Sequence, residues 1–189
     1  MVESSSTPRA TPHIPSGGLF SSYAACTINA PASKVFEAIL DTPSWPQWNT
    51  FVPSATVTKQ PHAQEGDSRL AVGTCMTFKV SMTSTVSTIS KEVVSIIENI
   101  TPENRVGRIC WSLDNSGMLT PSFMIRAERV NEIEDNGDGT CEYRTWETFA
   151  GPAARFVKWK YEQTLQERFE DWVRDLREFV EKDAPVRQT

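Results

Sequence analysis

The stretch from Pro152 to Lys182 reads as one long amphipathic helix, and such a rod needs a large apolar partner. Leu165, Phe169, Trp172, Leu176 and Phe179 recur at three- and four-residue steps, while Glu167, Glu170, Arg174 and Glu178 occupy other faces. About thirty residues at 1.5 Å each make a helix of roughly 45 Å. Its apolar stripe must be covered along most of that length, and the only cover the preceding chain offers is an antiparallel sheet.

That sheet is written in alternation. In "TCMTFKVSMTS", Met76, Phe78, Val80 and Met82 share one face, and Thr77, Lys79 and Ser81 the other. "RVGRICWSLD" puts Ile109, Trp111 and Leu113 on one side. "LFSSYAACTIN" (19–29), "FVPSATVTK" and the long mixed "VSTISKEVVSIIENI" also read as strands. "FMIRAERVNEIE" and "TCEYRTWETFAG" flank "DNGDG", a hairpin signal because glycine and asparagine tolerate positive φ. "PASKVFEAIL" starts a helix with Pro31 near its first turn. The two prolines of Asp41–Asn49 leave room only for a short irregular one. The order strand, helix pair, six strands, long helix predicts an α+β fold with its helices gathered on one face of the sheet.

Composition narrows the function classes. The chain of 189 residues fits one domain with tails; 39% hydrophobic residues suffice for a core. A net charge of −5 with no Lys/Arg cluster argues against a nucleic-acid partner. Cys26, Cys75, Cys110 and Cys141 lack any CxxC spacing and read as reduced thiols. The two histidines, His13 and His62, are too few for a His-based metal site or a Ser-His-Asp triad, so no metal and no cofactor are expected. Residues 1–18 are rich in Ser, Thr and Pro, carry no signal-peptide core and are expected to form a disordered tail. Residues 19–182 form the single domain, and 183–189 a frayed end. A cytoplasmic protein without stable membrane insertion, monomeric or weakly dimeric, is the expectation.

"INAPASKVFEAILDTPSWPQWNTFVPSATV" and "GDGTCEYRTWETFAGPAA" resemble the START-like (SRPBCC) helix-grip superfamily, in particular its polyketide cyclase/dehydrase and lipid-transport branch, over roughly Leu19 to Lys182. The resemblance implies a curved antiparallel sheet of about seven strands wrapped around the C-terminal helix. Two short helices follow strand one, and a hollow lies between sheet and helix. In such folds the short helices help to close one end, so Trp45 and Trp48 either line the cavity or simply pack those helices onto the sheet.

The final hairpin carries the polar candidates. Phe123, Ile125, Ala127, Arg129, Asn131 and Ile133 share one face, opposite a mostly charged one, which places Arg129 inside. On the partner strand Tyr143, Thr145, Glu147 and Phe149 share a face. A turn near Gly137 sets Arg129 opposite Thr145 or Glu147, suggesting a buried pair with Tyr143 close by. Relatives in the resembled branch often carry histidine at the Arg129 position and glutamate at the Glu147 position. Arginine stays protonated, so it anchors anions or carbonyls but is no base. Glu147 serves as a base only if burial raises its pKa against the neighbouring Arg. The alternative is an Arg–Glu pair that satisfies itself within the sheet.

The candidate ligand-contacting set is therefore Trp45, Trp48, Phe78, Met82, Trp111, Phe123, Ile125, Arg129, Tyr143, Thr145, Glu147, Phe149 and Trp159. Tyr161 is a further candidate, and the loop Asn115–Ser122 a candidate gate. Cys110, on the face opposite Trp111, is a weak candidate nucleophile. Two functions remain open: a module that binds a polyketide-, lipid-, quinone- or sterol-like molecule, and a cyclase, dehydratase or aromatase using Arg129, Glu147 and Tyr143. A partner-binding scaffold using the outer sheet face is a third.

Overall fold

The computed structural model describes residues 8–61, 68–116 and 121–182. In chain order the elements are β1 (Phe20–Ile28), α1 (Ala32–Leu40), a 3-10 segment (Thr42–Gln47), β2 (Ser54–Lys59), β3 (Cys75–Ser81), β4 (Ser87–Glu98), β5 (Val106–Leu113), β6 (Arg126–Asp135), β7 (Cys141–Ala150) and α2 (Ala154–Glu181). One seven-stranded sheet runs β1-β7-β6-β5-β4-β3-β2, antiparallel at each pairing. Consecutive strands from β2 to β7 are neighbours. Only β1 crosses over, closing the order beside β7.

The α+β helix-grip architecture expected from the sequence is thus the observed one. Helix α2, 28 residues long, packs against β1 and β7 and buries Leu165, Phe169, Trp172, Leu176 and Val180. The inner faces of the strands follow the alternation: Ile109 and Trp111 on β5, Ala127, Arg129, Asn131 and Ile133 on β6, Tyr143 and Thr145 on β7 are all buried. The β6–β7 turn takes positive φ at Gly137 and Gly139. Register shifts in β2, between Val57 and Lys59, and in β4, between Val94 and Ile96, break the strict alternation of both strands.

Three segments depart from the sequence reading. Phe51 and Val52 are not strand; they bend into the core ahead of β2. The last strand pair begins at Arg126 rather than Phe123, because a turn closed by Met124 N–H donating to Pro121 O intervenes. Phe123 consequently points outward with 72% exposure.

The third departure is at the N-terminus. Residues 8–18, expected to be disordered tail, lie on the outer face of the sheet. Thr148 Oγ1 donates to Arg9 O at 2.7 Å, Trp146 Nε1–H to Ala10 O at 3.0 Å, and His13 N–H to Glu128 Oε2 at 2.7 Å. Thr11 and Ile14 are buried there, as are Ser21, Glu128 and Thr148 beneath them. A polar outer face, rather than an apolar one, is what holds this segment, so hydrophobic patterning does not reveal it. Gly18, at φ 63°, turns the chain into β1; a Cβ there would meet Phe149 O at 2.5 Å.

Candidate functional site

Between β3–β7 and the first turns of α2 lies a hollow of about 420 Å³. Its lining is mostly apolar: Phe78, Val80 and Met82 from the β3 side, Trp111 and Leu113 from β5, Phe149 from β7, and Val157 and Leu165 from α2 among them. Phe51 reaches it because the chain after the 3-10 segment is pinned. Val52 N–H donates to Asn49 Oδ1 at 2.7 Å, and Thr50 N–H to Asp175 Oδ2 on α2 at 3.0 Å.

Two carboxyls and one guanidinium border this apolar space: Glu92 on β4, Glu147 on β7 and Arg129 on β6. Arg129 and Glu147 are direct cross-strand partners, as the turn position implies. They do not form the direct ion pair anticipated. Arg129 is 3% exposed; its Nε–H donates to Thr145 Oγ1 at 3.2 Å, and its Nη2 has no hydrogen-bond partner. Aromatic faces surround the guanidinium instead, with the Trp172 ring centre 4.0 Å and the Phe169 ring centre 4.3 Å from Cζ, and Trp111 and Phe51 slightly farther. Ring quadrupoles attract a cation held over them, and more strongly where water is excluded. Burial still pulls the Arg129 pKa below its ordinary value, against the pull of Tyr143, Glu147 and Glu92.

Both carboxyls respond in the opposite direction. Burial pushes Glu92 up, the nearby Glu147 pushes it further, and hydrogen bonding from Ser90 and the charge of Arg129 only partly compensate. Burial also raises Glu147, with Arg129 pulling it down; Glu147 keeps partial exposure because it borders the hollow. Both carboxyls, poorly solvated, hold a proton more tightly than free glutamates do, in spite of the nearby cation. Glu92 was not anticipated. It belongs to a strand whose register shift hides its alternation, and a charge there reads as solvent-facing.

Tyr143 is not on the lining. It is fully buried behind it, donating from its hydroxyl to Asn131 Oδ1 at 2.7 Å and accepting from Trp172 Nε1–H at 2.7 Å. Burial pushes its pKa to about 12, so it is no base. Thr145 is likewise buried, bridging Arg129, Asn131 and Val130 O. These two residues fix the arginine rather than border the hollow.

Trp45 and Trp48 are core, not cavity wall. Trp45 is fully buried, donates from Nε1 to Ile39 O at 3.2 Å, and packs against Phe78, Trp111 and Trp172 at ring distances of 5.4, 6.1 and 5.1 Å. Trp48 meets Trp172 and Phe179. Prolines on either side of Trp45 hold the 3-10 segment so that this aromatic plug backs Trp111, which does line the hollow. Phe78, Met82, Trp111, Ile125, Arg129, Glu147 and Phe149 border the hollow, as does Tyr161. Phe123 and Trp159 point outward, Trp159 with 80% exposure. Cys110 is buried on the other face, its thiol pushed up to about 12, and is no nucleophile. The loop Asn115–Ser122 lies partly outside the described residues. Among the described residues no group of three or more His, Cys, Asp and Glu is arranged to hold a metal ion.

A sheet gripping a long helix over a bordered hollow defines the helix-grip class. The chain belongs to the polyketide cyclase / dehydrase and lipid transport family, whose pattern it matches over residues 20–184. It is 32% identical, over 185 residues covering 90% of this chain and 92% of the relative, to "Oxopyrrolidines biosynthesis cluster protein O" of Penicillium oxalicum. Among solved structures it resembles a hypothetical protein of Helicobacter pylori, with TM-score 0.70, 13% identity, and coverage of 95% of this chain and 99% of the other. It also resembles an aromatase/cyclase from a Streptomyces species, with TM-score 0.63, 9% identity, and coverage of 88% and 96%. These two likenesses are of fold. No described helix is long and apolar enough to cross a membrane.

Proposed function

We propose that the protein binds one apolar small molecule of polyketide- or lipid-like character in the hollow, oriented by Arg129. The observation that carries this reading is the guanidinium itself: buried, at the border of an apolar space of about 420 Å³, with one terminal nitrogen unbonded. A buried donor left unsatisfied costs about 1–3 kcal/mol, more for a charged group. A ligand oxygen that accepts from it recovers that loss. The volume lies within the usual range of small-molecule sites, about 300–1,000 Å³. Membership of the family and the relative named for a biosynthetic cluster support a ligand drawn from secondary metabolism.

A second reading, favoured by Glu92 and Glu147, is a cyclase- or dehydratase-type enzyme. A carboxyl whose pKa is raised toward neutrality suits proton transfer to and from a carbonyl substrate that Arg129 polarises. Native mass spectrometry of the protein purified from its own cells tests the first reading. A co-purifying apolar adduct at one per chain is expected, and Arg129→Met should strip it; a bare chain at every preparation counts against binding. Glu147→Gln separates the two readings. A carrier keeps its ligand with altered affinity, whereas an enzyme still binds but loses turnover by orders of magnitude.

A further inference from the structure

The rim of the hollow carries a feature that ligand binding does not require. Phe156, on the first turn of α2, borders the hollow yet is 57% exposed; Trp159, one turn on, is 80% exposed, and the two rings are 5.8 Å apart. Ile89, on the β4 side of the same hollow, is 63% exposed. Phe123 is exposed on the turn whose Met124 O accepts from Ala153 N–H, against the start of the helix. Single exposed apolar side chains are ordinary, but touching aromatics at a cavity rim are not.

Charge separates along α2 in the same place. Residues 154–161 contain Arg155, Lys158 and Lys160 and no acid, whereas residues 162–181 contain seven acids and three bases. The basic end is the helix N-terminus, where the macrodipole is positive and acids are favoured. No side chain caps it, and its first turn holds no acid. Lys160 Nζ lies over the Phe156 ring at 5.7 Å and the Tyr161 ring at 5.0 Å, and Lys158 pairs with Glu162 at 3.6 Å. In a chain of net charge −5, cations thus gather beside exposed aromatics.

We propose that this face, Phe156 and Trp159 flanked by Arg155 and Lys160 with Ile89 across the rim, docks on an anionic lipid surface. Aromatic rings seat at the level of the headgroups, the cations attract the negative surface, and neither demands a spanning segment. The apolar hollow opens beside the seated rings, so an apolar cargo passes between acyl chains and protein without crossing bulk water. The docking itself does not depend on what the hollow carries. An acidic protein partner would use the same charges; the apolar hollow opening between Phe156 and Ile89 is what favours the lipid.

Co-sedimentation of the full chain with phosphatidylcholine vesicles, with and without phosphatidylserine, tests it. Binding is expected only with the anionic lipid, weakened by added salt. The intact protein should also show a blue shift of tryptophan emission that Trp159→Ser loses. Trp159→Ser and the pair Arg155→Gln with Lys160→Gln should each lower the partition by at least about tenfold. Their circular dichroism and melting should match the parent, since these side chains are exposed. No sedimentation with anionic vesicles, equal binding to neutral ones, or binding indifferent to both variants overturns the proposal. So does capture of an acidic protein through these residues without any vesicle binding.

Discussion

Arg129 is ringed by aromatic side chains rather than held in an ion pair, and its neighbours hold it through hydrogen bonds. Tyr143 is central to that support. Tyr143→Phe leaves the buried Trp172 N–H without an acceptor, while Asn131 Oδ1 keeps Thr145 Oγ1. The expected cost is about 1–3 kcal/mol in urea denaturation. Since Tyr143 does not border the hollow, ligand affinity should change far less than it does in Arg129→Met.

The carboxyls give a pH dependence at the same scale. Glu92 is raised to about 8 and Glu147 to about 7, from an ordinary 4.5. Between the ordinary and the raised values the folded chain holds more protons than the unfolded one. The contribution of these groups to stability is therefore full at low pH, falls as pH rises through that window, and levels off above it. Part of the Glu147 contribution is lost to solvent screening, since that residue is only half-buried. Glu92→Gln should flatten the fall in urea midpoint between about pH 5 and 8 relative to the parent. Parallel curves for the two proteins would show that Glu92 is not held protonated.

At the scale of elements, the aromatic plug and the β7–α2 corner are the brittle parts. Trp45→Ala removes a fully buried ring that contacts four other aromatic rings of the core, and should cost about 3–5 kcal/mol by urea denaturation. Gly151, at φ 95°, turns the chain from β7 toward α2, and a Cβ there would lie 2.6 Å from Met124 O. Gly151→Ala should destabilise by more than about 1 kcal/mol in the same assay.

Which elements were legible follows from how local their determinants are. The strands β3 and β5–β7 and the helix α2 declare themselves by period, because each strand buries one face and α2 buries a stripe from Leu165 to Val180. The β6–β7 register was legible too, since a glycine-rich turn fixes which residues stand opposite. Glu92 was not, because the shift after Val94 breaks the period that would have marked its face. The segment 8–18 was not, because polar groups on the outer sheet hold it. For Trp45 and Trp48 the structure takes the packing alternative, and Trp159 faces outward, because composition announces an aromatic but not where its ring points.

At the scale of the whole molecule, sheet and helix border a space that they do not fill. Ala127, small and buried at the border of that space, is the place to fill it. Heteronuclear NMR of methyl-labelled protein, titrated with an apolar naphthalenesulfonate probe, locates occupancy directly. The expected result is saturable shifts confined to Met82, Ile89, Leu113, Ile125 and Val157, abolished by Ala127→Trp in a chain that still folds. Shifts scattered over the surface, or unchanged in Ala127→Trp, would contradict a bordered ligand site.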